Sequence, residues 1–146
     1  MRLKIYLDNC CFNRPYDNQS LIRNRLETEA KLYIKESIIE ENYDLIWSYI
    51  LDFENSRNPF KDRKKEISTW RTIAKLQIIE TEKIVLCAED LQKFHIKSKD
   101  ALHISCAIEA NCNYFVTTDD KLLNKNSLID QITIISPIGF IEIVEE

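Results

Sequence analysis

Apolar residues along the chain fall into short unbroken runs, separated by longer stretches in which they recur every three to four positions. The runs at 3–7, 45–47, 114–117 and 132–135 are rich in β-branched and aromatic residues and predict strands. Between the first two, Ile22, Leu26, Ala30, Tyr33, Ile34 and Ile38 form a stripe of helical period, which predicts one long amphipathic helix over about 20–41. Further helices are expected at 49–58, 64–75, 82–94, 98–111 and 119–125, with a short last one after Pro137. The polar stretch 55–66 reads as the most loop-like and the most basic. Strands alternating with helices predict an α/β domain, a central parallel sheet of four to five strands flanked by helices on both faces. Such sheets gather their ligands at the carboxyl ends of the strands.

Composition narrows the chemistry. The 146 residues, 45% apolar and 30% charged, fit a single domain spanning 1–146. Gly139 is the only glycine, which excludes a phosphate-cradling P-loop, a GxGxxG turn and a GxSxG nucleophile elbow. Its scarcity also counts against a hairpin-rich all-β fold. Twenty basic against 24 acidic residues leave a formal charge of −4. If four acids faced bound cations the remainder would balance, so this acidity does not exclude a metal-dependent nuclease. Five cysteines with no CxxC spacing predict reduced thiols in a cytoplasmic protein. The apolar start RLKIYL is broken by Asp8, too early for a secretory signal. The longest charge-free run, 131–141, is too short to cross a membrane, so no membrane partner is expected.

Four acids stand at predicted strand ends or on the inward side of a helix, where an unpaired charge is costly. Asp8 closes the first strand in IYLDNCC, a place that also suits a capping aspartate. In the next helix, residues two apart lie about 200° around the axis, so Asp52 and Glu54 cannot face one site. Asp52 shares its side with Ser48, Asn55 and Ser56, read as solvated. Glu54 follows Ile50 and Leu51 at helical spacing and is the inward candidate, a surface ion pair with Arg57 being the other reading. Asp100 in SKDALHISCAIEA stands above Ile104, Ala107 and Ile108, with Ser98 expected as the N-cap. In YFVTTDDKLL, Asp119 precedes Leu122 and Leu123 at inward spacing, Thr117 or Thr118 is expected to cap the helix, and Asp120 looks peripheral. Carboxylates meeting in one pocket repel, a pair at 4 Å by about 4 kcal/mol at an effective dielectric near 20, and so call for a divalent cation. Oxygen donors favour magnesium or manganese. His103, three residues after Asp100, is expected to support it through a hydrogen bond.

The motifs YLDNCCFNRP, WSYILDFENSRN, KDALHISCAIEA and YFVTTDDKLL, in this order, resemble the PIN-domain ribonucleases, especially VapC-like toxins, over essentially the whole chain. The resemblance implies a PIN-like fold and a catalytic, metal-binding set of Asp8, Glu54, Asp100 and Asp119. It implies Thr117 as a supporting hydroxyl, Asp120 as an optional further acid, and RNA as the substrate. Arg57, Lys61, Arg63, Lys64 and Lys65 form the strongest basic cluster, placed either to hold the RNA backbone or simply to face solvent. VapC-like toxins bind a small antitoxin protein near the long helix and commonly pair as homodimers, so both are expected partners. The chain departs from commoner members in carrying Cys10 and Cys11, from which a sensitivity of metal occupancy to thiol oxidation is expected. Two other readings stand beside the enzyme. One is a catalytically inactive PIN-like module that binds RNA or protein. The other, a haloacid-dehalogenase-type phosphatase, is disfavoured because Cys10 occupies the place of its second acid.

Overall fold

A computed structural model describes residues 2–145. Strand β1 (Leu3–Leu7) is followed by a short helix α1 (Asn9–Asn13), the long α2 (Ile22–Ile39), β2 (Tyr43–Ser48), α3 (Tyr49–Ser56), α4 (Lys61–Ile73) and β3 (Leu76–Ile78). Then come α5 (Glu82–Leu91), α6 (Ser98–Glu109), β4 (Tyr114–Val116), α7 (Asp120–Leu123), β5 (Thr133–Ile135) and α8 (Pro137–Val144). The five strands form one parallel sheet in the order β3-β2-β1-β4-β5. The predicted α/β architecture is therefore present.

Side chains alternate across a strand, so the register assigns each face. Tyr6 lies opposite Ile46 and Phe115, stacks on the Phe115 ring at 5.4 Å, and meets His103 of α6 edge-on. The odd-numbered positions of β1 share the other face with Tyr43, Trp47 and Tyr114. There Phe140 of α8 packs edge-on against Tyr43 and Tyr114, and Phe12 packs between Trp47 and Trp70 of α4. Helices cover both faces.

Three local expectations are corrected. The segment 55–66 is mostly helical, because Asn55 ties α3 to α4 by donating from Nδ2 to the Lys64 carbonyl and to Ser68 Oγ. β3 went unread: its LQI run is short and its first two side chains are exposed, so it carries little apolar signal at this edge of the sheet. The stripe assigned to α2 is only half buried. Ala30, Ile34 and Ile38 are in the core, but Ile22, Leu26 and Tyr33 are exposed, and Glu27 and Lys31 are buried instead. Glu27 sits 3.1 Å from Arg14 Nε and 3.5 Å from Arg23 Nε, and Lys31 holds its ammonium 5.0 Å from the Trp70 ring centre.

The near-absence of glycine shows at the helix ends. α2 and α6 both close with the paired hydrogen bonds of a left-handed C-terminal cap, Glu41 N–H to Ile38 and Asn42 N–H to Ser37, then Asn111 N–H to Ile108 and Cys112 N–H to Ala107. The left-handed positions are held by Glu41 (φ 63°) and Asn111 (φ 60°). Asparagine tolerates that conformation and glutamate does not. Glu41→Gly is therefore expected to stabilise the protein by about 0.5–1 kcal/mol, seen as a rise in Tm of about 1–4 °C, with Asn111→Gly giving less.

Candidate active site

The strand order places a crevice where it reverses. From β1 the chain builds β2 and β3 on one side and then returns to lay β4 on the other, so the connections leaving β1 and β4 diverge at their carboxyl ends. Asp8 follows β1 directly, its N–H donating to the Val116 carbonyl at 2.9 Å. The loop after β4 carries Thr117, Thr118 and Asp119. α3 springs from the end of β2 and brings Glu54. α6 runs back toward the start of β4, so its first turn, with Asp100, stands at the same edge.

Asp8 is nearly buried and fully engaged. Its Oδ1 accepts from Asn9 N–H at 2.8 Å, which makes it the cap of α1, and its Oδ2 accepts from Thr117 Oγ1 at 2.8 Å. Thr117 Oγ1 in turn accepts from Asp119 N–H at 3.1 Å, so one hydroxyl couples the two acids across the crevice. Cys10 Sγ lies 3.5 Å from Asp8 Oδ2 and 3.3 Å from Thr117 Oγ1. Cys11 is buried, and its hydrogen bond with Cys10, together with burial, pushes its thiol well up. Asp119 itself caps α7, its Oδ1 accepting from Lys121 N–H at 2.9 Å, a role expected of Thr117 or Thr118. Thr117 Oγ1 meanwhile accepts from Asp119 N–H, ahead of the helix, while donating to Asp8.

Glu54 faces the site and not Arg57. Its carboxylate is hydrogen-bonded to His103 Nε2, while His103 Nδ1 is 2.6 Å from the Tyr6 hydroxyl and that hydroxyl is 2.6 Å from Ser48 Oγ. Tyr6 is buried and burial pushes its phenol well up, so it keeps its proton. Ser48 Oγ, the Tyr6 hydroxyl, the His103 ring and the Glu54 carboxylate thus form one continuous hydrogen-bonded chain. The expected bond from His103 to Asp100 is thus replaced by one to Glu54, from a helix 49 residues away in sequence. Asp52 does point away, accepting from Trp47 Nε1 at 2.7 Å and pairing with Arg71 at 3.3 Å. Its supposed companions Ser48 and Asn55 are buried, because Ser48 caps α3 and Asn55 bridges to α4.

Asp100 lies in the first turn of α6, but the cap is Lys97 and contributes no side-chain bond, so Ser98 does not act as predicted. Among the described residues Asp100 has no hydrogen-bond donor of its own. Burial, and the charges of Asp8, Asp119 and Glu54, push its carboxyl up from 3.8 to about 6, against the pull of His103. Asp120 turns outward, 68% exposed, gripped by Arg23 through two bonds of 2.8 and 2.9 Å that hold its carboxyl below the usual range.

The four acids line one edge without closing on a point. Glu54 opens on a cavity of about 230 Å³ shared with Asn9 and Arg63, whereas Asp100 and Asp119 line a neighbouring one of about 180 Å³ with His95 and Lys121. Among the described residues no three His, Cys, Asp or Glu side chains stand close enough to share an ion. The donor set nonetheless fits a hard divalent cation. It is all oxygen, and the charges of Asp8, Asp119 and Glu54 all act on Asp100. A cavity of about 330 Å³ between Ile38, Tyr43 and Ile73 lies at the amino end of β2, away from this chemistry. Of the basic cluster, Lys61, Lys64 and Lys65 are exposed along α4, while Arg57 and Arg63 lie over aromatic rings.

Compared with known proteins, residues 5–127 match the family model described as PIN domain. A solved structure of similar fold is that of VapBC2 from Rickettsia felis bound to a DNA fragment from their promoter. It is 17% identical, with a TM-score of 0.56 over 92% of this chain and 98% of that chain. No curated protein matches.

Because the folded Asp100 binds its proton more tightly than the unfolded one, its contribution to stability is intact below pH 4 and is lost as pH rises toward about 6. Asp100→Asn is accordingly expected to stabilise the chelator-treated protein at pH 7 by about 1–2 kcal/mol, the shift being discounted for the solvent that still reaches this group. At pH 4 the gain in Tm should vanish.

Proposed function

The chain belongs to the PIN domain family, and from that premise we propose that it is a metal-dependent endoribonuclease that hydrolyses phosphodiester bonds of single-stranded or structured RNA. The observation that carries this reading is the placing, along the edge where the sheet order reverses, of acids from four separate segments, two of them joined through one threonine hydroxyl. Asp8, Asp100 and Asp119, with Glu54, would hold magnesium or manganese. When bound, such an ion supplies Lewis-acid stabilisation of charge on the scissile phosphate and activation of water. The protein supplies position. Thr117 fixes Asp8 against the loop of Asp119, and the His103–Tyr6–Ser48 chain holds Glu54 in one orientation. Lys61, Lys64 and Lys65, with Arg57 and Arg63, offer positive charge to the RNA backbone. No side chain is required as a nucleophile.

We place the protein as the cytoplasmic toxin of a toxin–antitoxin pair. Its five cysteines are all free thiols, and no helix among the described residues is long and apolar enough to cross a membrane. The exposed apolar flank of α2 supports the partner. Leu26, Ala30 and Tyr33 face Ile138 and Ile141 of α8 across a cavity of about 320 Å³, with Ile22 bare one turn ahead. An apolar helix of a small antitoxin is the occupant this groove suits.

Purified protein is expected to cut RNA in magnesium or manganese, to stop on addition of chelator, and to lose at least about 100-fold in rate in Asp8→Asn and Asp100→Asn. RNA binding without cleavage in any divalent metal would favour the inactive module instead. For the partner, co-expression with the small protein encoded alongside should yield a complex that Leu26→Asp disrupts. A homodimer broken by the same substitution would give this face to self-pairing.

A further inference from the structure

The basic segment behind the acids differs from an ordinary solvated face. Phe60 is 53% exposed, and the Arg63 guanidinium lies 4.1 Å from its ring centre and 4.6 Å from that of Tyr16, held between the two. Arg57 repeats the pattern 4.8 Å over the half-exposed Phe53. Phe60 and Arg63 wall the cavity of about 230 Å³ that also contains Glu54, and Asn9, directly after Asp8, stands in the same wall. The cavity therefore contains one of the four acids, Glu54, and the residue directly after another, Asp8.

The rest of the lining is Pro59 and four asparagines, Asn9, Asn13, Asn55 and Asn58. Asn13 Nδ2 donates to the Asn9 carbonyl and Asn58 Oδ1 accepts from Phe60 N–H, which sets both orientations. The Asn13 oxygen and the Asn58 amino group have no other partner among the described residues, leaving one acceptor and one donor. An open aromatic plane with a clamped guanidinium supplies stacking, and paired amide groups read a donor–acceptor edge. The volume is below the about 300–1,000 Å³ of sites for drug-sized ligands and suits a single heterocycle.

Resting on the ribonuclease reading, we propose that this cavity is a nucleobase subsite. An unpaired base of single-stranded RNA, flanking the phosphodiester presented to the acids, stacks on Phe60 and meets Asn13 and Asn58 with its edge. In a duplex both faces of the base are already stacked and its edge is occupied, so only a splayed base enters. The subsite sets which bond lies over Asp8 and Glu54, and so makes cleavage selective for position.

The test is a coupling cycle on the full chain carrying Asp8→Asn, read by fluorescence anisotropy with short single-stranded RNAs in which one abasic position is walked along the strand. At one position the missing base and Phe60→Ala should each raise Kd about 5- to 100-fold, and together little more than either alone. Phe60→Tyr should restore binding, and Leu86→Ala, an exposed apolar change on α5, should leave it as it was. Losses that multiply at every position, an unaffected Kd in Phe60→Ala, or equal competition by duplex RNA would overturn the subsite. If the parent chain cuts no RNA in either metal while the coupling persists, the ribonuclease reading fails and the subsite stands. Cutting without coupling has the opposite meaning.

Discussion

Burial of several carboxylates along the carboxyl edge of the sheet is the constraint that the hydrogen bonds around it answer. Three of the four acids there are each held by a different device. Asp8 is fixed by a backbone N–H and a threonine hydroxyl, Asp119 by the first turn of the helix it caps, and Glu54 by a histidine anchored through two buried hydroxyls. Asp100 alone has no donor, and it is the carboxyl driven upward. The strain of assembling the site is thus concentrated on one residue, the place where a cation would relieve most.

What could be read from the chain without coordinates followed short-range rules. Strands, helix periods and the acids at strand ends are local signals, and the alternation of elements leads to the parallel sheet and to the edge where those acids stand. Geometry on one helix was enough to prefer Glu54 over Asp52. The hydrogen-bond partners were not legible. His103 meets Glu54 and Tyr6 across 49 and 97 residues, and nothing local distinguishes that from a bond to Asp100 one helical turn away. The bond of Thr117 to Asp8 spans 109 residues, and the cap expected of Thr117 or Thr118 is Asp119.

The misreading of α2 has a different cause. Apolar period alone turned its face by part of a turn, because two ionised residues claim the interior. Glu27 is neutralised by flanking guanidiniums, and Lys31 lies against the Trp70 face, where burial lowers its ammonium to about 8. A charge placed inward displaces an aliphatic residue outward, and Ile22, Leu26 and Tyr33 are the ones displaced.

The same rotation gives Arg23 its reach. From the first turns of α2 its guanidinium grips Asp120 and the Thr118 carbonyl while its Nε approaches Glu27. One helix therefore bears a bare apolar flank on one side and, on another, an arginine fastened to the loop of Asp119, so a single side chain ties that helix to the edge of the sheet where the acids stand.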